Sequence, residues 1–331
     1  MNVRITGPTI LAIIVIAVIL AGEAIVFTSG HDDYTTSVDW NPDSVSYRID
    51  ARGSHVYDVV VLKDSAEKPI DVTIYYDESY ASVVNKVSVA VGGRALDQQY
   101  YAEQLVATLQ LRDITEVSFA DADQLKAKLQ ENGKDHAVIC ISGSLPSTVY
   151  DGTSDSLILK WIESGGRLYW AGNVIGKYVS NGDSISTVTD GERLFVGTSI
   201  SEESAVSHEK IDNGFCDCLY MQNNQTLYTP DPSQVSAEHL AIGYTDGTRA
   251  SVMISQLGEG FVCIMGGDYS NFQRIDMTQV LAAGISPTTE ITDIVYGSVS
   301  GTVTGKAAIG DTVYICIGGY FPVYGKLHGV E

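Results

Sequence analysis

The sequence predicts an α/β protein: a parallel sheet covered by helices, antiparallel β segments at both ends, and an N-terminal transmembrane helix. Three observations lead there. Strand-like and helix-like runs alternate over residues 86–171, which calls for parallel strands joined by covering helices. Residues 45–80 and 293–328 are instead rich in β-branched and aromatic residues between Gly, Asp and Pro breaks, as antiparallel strands are. The run Pro8–Thr28, "PTILAIIVIAVILAGEAIVFT", is apolar but for Glu23 and small polar residues.

As a helix, that run reaches about 31 Å, the hydrocarbon thickness of a bilayer. Arg4 and the α-amino group precede it, while His31, Asp32 and Asp33 follow. Positive charge on the N-terminal side places residues 1–7 in the cytoplasm and the body outside. Glu23 falls about 22 Å along the helix from Pro8, near the outer interface, where a carboxylate reaches water. A cleaved signal peptide with Ala21, Gly22 and Ala24 at its cleavage site is the competing reading. The length of the run, and Glu23 inside that motif, favour an uncleaved signal-anchor. The expected localisation is the cell membrane, single-pass, with an extracytoplasmic C-terminal body.

In the middle of the chain each element has a local cause. "KVSVAVGG" reads as a buried strand, and "LDQQYYAEQLVATLQLR" sets Tyr101, Leu105 and Leu109 at helical spacing. After the strand "ITEVSFA", the helix "DADQLKAKLQENG" starts on an Asp cap and stops at glycine. "HAVICISG" is a third strand, "SDSLILKWIESGG" a helix with Leu157, Ile158, Trp161 and Ile162 inward, and "RLYWAG" a fourth strand. Residues 177–248 break into short strands and turns. "RASVMISQLGEGFVCIMGG" then reads as a hairpin turning at Gly258–Gly260, and "RIDMTQVLAAG" as a helix. The expected division is a cytoplasmic end 1–7, anchor 8–28, linker 29–44, accessory β region 45–85, α/β domain 86–284 with an irregular insertion at 177–248, and accessory β region 285–331. The two β-rich ends are expected to pack as one layer.

Lys plus Arg number 20 against 41 Asp plus Glu, a net charge of −21. A chain without a basic run does not displace counterions from nucleic acid, so that partner class is excluded; the acidity speaks to solubility. Of the five cysteines, Cys140, Cys263 and Cys316 sit in apolar strands and read as buried hydrophobes. Cys216 and Cys218 lack a second ligand pair at zinc spacing. Pairing with another cysteine, or no pairing, stays open for them. No metal and no cofactor is expected. Asn224 heads an N-glycosylation sequon.

The order of elements, with "AVICISGSLP", "WIESGG", "RLYWAGN" and the late "GEGFVCIMGGDYSN", resembles the class I glutamine amidotransferase-like superfamily, in its divergent extracellular and carbohydrate-associated branch. The resemblance covers residues 86–284 and implies a flavodoxin-like three-layer fold. Active members carry a Gly-x-Cys-x-Gly elbow after the strand equivalent to "RLYW", and a histidine after a late strand. Here the elbow is Ala171-Gly172-Asn173-Val174-Ile175-Gly176 and the late strand ends in Gly266-Gly267-Asp268. Neither holds a thiol, hydroxyl or imidazole, and a nucleophile needs its base within hydrogen-bond reach.

What remains is a candidate cleft at the carboxyl ends of the expected strands, rimmed by Gly92, Gly93, Ser142, Gly143, Ser144, Gly172, Asn173, Gly267 and Asp268. The expectation is therefore a membrane-anchored, extracellular, non-catalytic amidotransferase-like protein with a binding or envelope-assembly role and a protein partner or envelope complex. The rival is a hydrolase of envelope polymers or glycans. It would use carboxylates of the irregular stretch, Asp183, Asp190, Glu192, Glu202 and Glu203, because glycoside hydrolysis needs two carboxyl groups across one cleft.

Overall fold

The computed structural model describes residues 29–31, 34–41, 44–63, 70–83, 87–91, 94–96, 98–110, 114–202, 209–210, 229–245, 249–265, 274–282, 284–308, 311–317 and 323–326. These divide into two compact units, one from the described residues of Met1–Lys63 and Thr292–Glu331, the other from those of Asp64–Ile291.

The first unit is all β. Strands β1 (Ser29–His31), β2 (Tyr34–Asn41) and β3 (Ser44–Leu62) form an antiparallel meander. The segment expected as a linker is thus strand, as the β-branched and aromatic content of "YTTSVDW" favours. On β3, Tyr47, Ile49, Val59 and Val61 are buried, the period-2 face of a strand covered on one side.

The second unit is mixed α/β and is built on an eight-stranded sheet. Its first member is β4 (Asp71–Tyr75), and α1 (Gln98–Gln110) follows, burying Tyr101, Ala102, Leu105 and Leu109. Then come β5 (Val117–Ala120), α2 (Ala122–Leu129), β6 (His136–Cys140), α3 (Leu157–Glu163) and β7 (Arg167–Ala171). Strands β8 (His239–Thr245), β9 (Ala250–Leu257) and β10 (Gly260–Met265) complete the labelled strands of this sheet, and α4 (Arg274–Ala282) closes the unit. In space the order is Glu209–Lys210 and then β8-β9-β10-β7-β6-β4-β5; β10, β7, β6, β4 and β5 are mutually parallel, β9 is antiparallel to β10, and β8, antiparallel to β9, runs in the direction of the parallel five. The first unit is completed by β11 (Ile291–Ala307), β12 (Thr312–Ile317) and β13 (Val323–Lys326), with β11 and β12 both pairing with β3, so the two chain ends share one sheet.

The expected first parallel strand, residues 86–93, is not part of the large sheet. Val87–Val91 pairs with Arg94–Leu96 in a separate two-stranded antiparallel sheet. Its place in the sheet is taken by β4, buried at four of its five positions. A near-continuous apolar run is what a strand covered on both faces requires.

The path from β4 through α1 to β5 steps toward one edge, and the path from β5 through α2 to β6 steps back past β4. Right-handed crossovers then place α1 and α2 on opposite faces. Helices α2 and α3 contact each other, as do α1 and α4. Under α2 and α3 lies a continuous core that includes Leu125, Leu129, Ile158, Trp161, Val138, Leu168, Trp170 and Val262.

Two glycines set the approach of α3 to the sheet. A Cβ on Gly166 would stand 2.5 Å from the Trp161 ring, and one on Gly260 would stand 2.1 Å from Gly166 O and 2.2 Å from Ile162 O.

The anchor expected at 8–28 falls outside the described residues. Among the described residues no helix is long and apolar enough to cross a membrane, and the single-pass membrane localisation is corrected on that finding.

Candidate functional site

In an open α/β sheet, ligands bind outside the carboxyl ends of the strands, where crossovers diverge to opposite sides. Here that point lies between β4 and β6, and the segments that meet there are 76–82 and 141–144. Tyr75 pairs in register with Cys140 at the strand ends.

From the β6 side come Ser142, Gly143 and Ser144. Ser142 and Ser144 are buried, and Gly143 turns the chain at φ 68°. The Ser142 hydroxyl donates to Ser144 O at 2.6 Å and lies 3.3 Å from Cys140 Sγ. Burial pushes the Cys140 thiol up to about 11. That leaves neither a free hydroxyl nor a thiolate for attack. Across the seam, Ser82 Oγ donates to Ser142 O at 2.8 Å, Ser144 Oγ donates to Ala81 O at 3.2 Å, and Gln98 Nε2 donates to Ser82 Oγ at 2.8 Å. These bonds lace the two loops and the start of α1 together.

From the β4 side come residues that the sequence analysis did not single out: Tyr76, Asp77, Glu78 and Tyr80. Asp77 Oδ1 accepts from Ser79 N–H at 2.9 Å and Ser79 Oγ at 2.6 Å, while Oδ2 accepts from Ala122 N–H at 2.9 Å. Burial pushes its carboxyl up. The bonds from Ser79 Oγ, Ala122 N–H and Ser79 N–H together outweigh that and hold it below the ordinary carboxylate range. Tyr76 OH donates to Glu78 Oε1 at 2.5 Å. Tyr75 beneath is raised by burial first, then by Cys140, Asp77, Tyr80 and Asp121. The signal that could have found this group is "IYYDES", two tyrosines and two carboxylates directly after a continuous apolar strand.

After β7, Gly172 and Asn173 both have φ 79°. The turn has the left-handed backbone of an elbow, held by Trp170 Nε1 donating to Asn173 O at 2.9 Å and Val174 N–H donating to Asn173 Oδ1 at 2.8 Å. Gly92, Gly93, Gly267, Asp268 and Asn224 lie outside the described residues, as do Cys216 and Cys218.

The carboxylates of the rival reading have separate engagements. Asp183 is exposed at the turn between strands Tyr178–Asn181 and Ser184–Thr187. Asp190 faces Arg193 at 3.9 Å, and Glu202 forms an ion pair with Lys177. Glu192 is buried beside Tyr150, whose phenol is pushed up to about 12 by burial, then by Glu192 and Asp151. Glu203 lies outside the described residues. Among the described residues, the carboxylates at the switch point are Asp77 and Glu78 instead. Among the described residues no three metal-ligating side chains converge.

No family model and no curated protein matches the chain. Among solved structures it is similar to the exo-β-1,4-mannosidase Op5Man5 from Opitutaceae bacterium strain TAV5, at 12% identity over 66% of this chain and 36% of that one, TM-score 0.40. It is similar to a cold-adapted β-galactosidase from Rahnella sp. R3 at 13% identity, 72% and 41% coverage, TM-score 0.37. A β-galactosidase from Bacillus circulans sp. alkalophilus follows at 13% identity, 76% and 35% coverage, TM-score 0.37. The chain spans 36%, 41% and 35% of the length of these proteins. They are glycosidases, not amidotransferases. The expectation of a non-catalytic amidotransferase-like protein of envelope assembly is corrected on that finding.

Proposed function

We propose that the α/β unit is a glycan-directed module that holds a neutral saccharide at the rim of the switch point between β4 and β6. The observation that carries this is the chemistry of the rim. Segments 76–82, 141–144 and 172–176 carry hydroxyls, carboxylates, an amide and tyrosines, and contain no Lys or Arg. Without a cation in these described segments the rim does not favour phosphates or other anions, and the net charge of −21 opposes them further. Carboxylates and amides that accept and donate to hydroxyl groups, beside half-buried Tyr76 and Tyr80, suit a polyol with apolar ring faces. The strand order, with crossovers on both faces, supports a flavodoxin-like three-layer reading of the unit, whose ligands sit at this same switch point.

A second reading, hydrolysis of the glycan, is favoured by one observation. Asp77 is held ionised next to Glu78, and a glycosidase pairs one ionised carboxylate with a second carboxyl group. Screening the purified chain against an array of neutral oligosaccharides tests the binding reading, and release of reducing ends from the ligands found tests hydrolysis. Saturable binding weakened about tenfold or more by Glu78→Gln supports the first. Reducing-end release abolished by Asp77→Asn supports the second. An array without a ligand removes both.

A further inference from the structure

At the opposite pole of the same sheet, the amino ends of β6, β7 and β10 border a half-open groove of about 410 Å³, within the range of small-molecule sites. We infer that this groove is a second saccharide-binding site. The inference rests on the glycan-directed reading above and adds to it a place, a set of groups and a stoichiometry.

Phe261 and Arg167 line the groove. The Arg167 guanidinium lies over the Phe261 ring, 5.5 Å from its centre, and Tyr169 meets the same ring edge-on at 5.9 Å. Stacking restrains the planar guanidinium at the groove. Asp135 stands on the wall in the left-handed region at φ 64°. Aspartate is one of the few residues that adopt this backbone readily. Gln256 is oriented by donating from Nε2 to Gly258 O at 3.0 Å, and Ser286 Oγ stands 3.1 Å from Thr288 Oγ1.

The ligand class follows from the balance of these groups. Lys134 and Glu259 on the rim add one charge of each sign to those of Arg167 and Asp135. A phosphate or sulfate would face two carboxylates, and a cation would face an ammonium and a guanidinium. A neutral saccharide leaves neither pair opposed, since carboxylate, amide, guanidinium and hydroxyl all exchange hydrogen bonds with sugar hydroxyls.

The test is calorimetric titration of the whole chain with β-1,4-mannobiose and β-1,4-galactobiose, for the parent protein and two sets of variants. Asp135→Asn keeps a residue that tolerates the left-handed backbone, and Arg167→Lys keeps the charge while losing the fork. Glu78→Gln alters only the switch-point rim. Two equivalents bound by the parent, with one lost or weakened tenfold or more in each groove variant and the other in Glu78→Gln, is the expected result. Binding unchanged in both groove variants but lost in Glu78→Gln overturns the groove and leaves the rim. Binding lost only in the groove variants keeps the groove and overturns the rim, and no binding by the parent overturns both. Unchanged urea midpoints in the variants separate lost binding from lost folding.

Discussion

Asp77 Oδ2 accepts the backbone N–H of Ala122 at 2.9 Å, so a carboxylate at the end of β4 holds the first turn of α2. Asp121, the N-cap, accepts from Gln124 N–H at 2.8 Å, and its own N–H donates to Gln124 Oε1 at 3.0 Å. Two carboxylates therefore serve one helix start, where free N–H groups and the helix dipole favour negative charge. The strand, the helix and the rim are joined through Asp77. Replacing it by Asn is expected to cost about 1–2 kcal/mol.

The same residue fixes a pH dependence. Its carboxyl is held below the ordinary range in the fold, so its contribution is present above the unfolded value and is lost as pH falls through the folded one. Urea denaturation of parent and Asp77→Asn should show the widest gap at neutral pH. The gap should narrow as pH drops below the ordinary carboxylate range; a gap constant down to pH 2 would remove the charge-based account.

Cys140 and Cys263 are fully buried, and burial raises both thiols, Cys140 to about 11. Alkylation at pH 8 under native conditions, read by peptide mass, should leave both unmodified, because the thiolate is the reacting form. Both should react once the chain is unfolded in urea. Modification of Cys140 in the native protein would reopen it as a nucleophile.

Gly260→Ala places a methyl carbon against backbone oxygens of Gly166 and Ile162 that cannot swing away. The expected loss is about 3 kcal/mol, the upper range of overpacking, seen as a fall in the urea midpoint. Gly166→Ala meets the Trp161 ring instead and should also change tryptophan emission. Midpoints equal to the parent in both variants would show that α3 does not pack against β7 and β10 as described.

Tyr150 OH donates to Gly176 O at 2.9 Å inside the core, and its ring packs on Phe195 at 5.4 Å. Tyr150→Phe keeps the packing and leaves a carbonyl without its donor, an expected loss of about 1–2 kcal/mol. A stability equal to the parent's would mean that the carbonyl has found another donor.

Much of the fold can be read in the residues. Tyr101, Leu105 and Leu109 of α1 are buried at the spacing that defines the helix, the Asp121–Gln124 pair is a capping box, and β9 turns into β10 at Gly258, φ 63°. These are local signals. Which strand opens the parallel sheet depends on which segment is buried on both faces, and "KVSVAVGG" resembles such a strand as well as "DVTIYY" does. Only the Gly-Gly pair in the sequence, a hairpin signal, and the continuity of "TIYY" tell them apart. Ser142–Ser144 and Gly172–Asn173 follow segments legible as parallel strands, whereas Asp77 and Glu78 lie in a stretch, residues 45–80, that reads as antiparallel.

The central claim is that a neutral saccharide occupies the rim between β4 and β6. Backbone amide shifts of the isotope-labelled chain during titration with β-1,4-mannobiose and β-1,4-galactobiose test it most directly. The account predicts saturable shifts at residues 76–82 and 142–144. Titration with no shift in either segment, up to millimolar sugar, would contradict it.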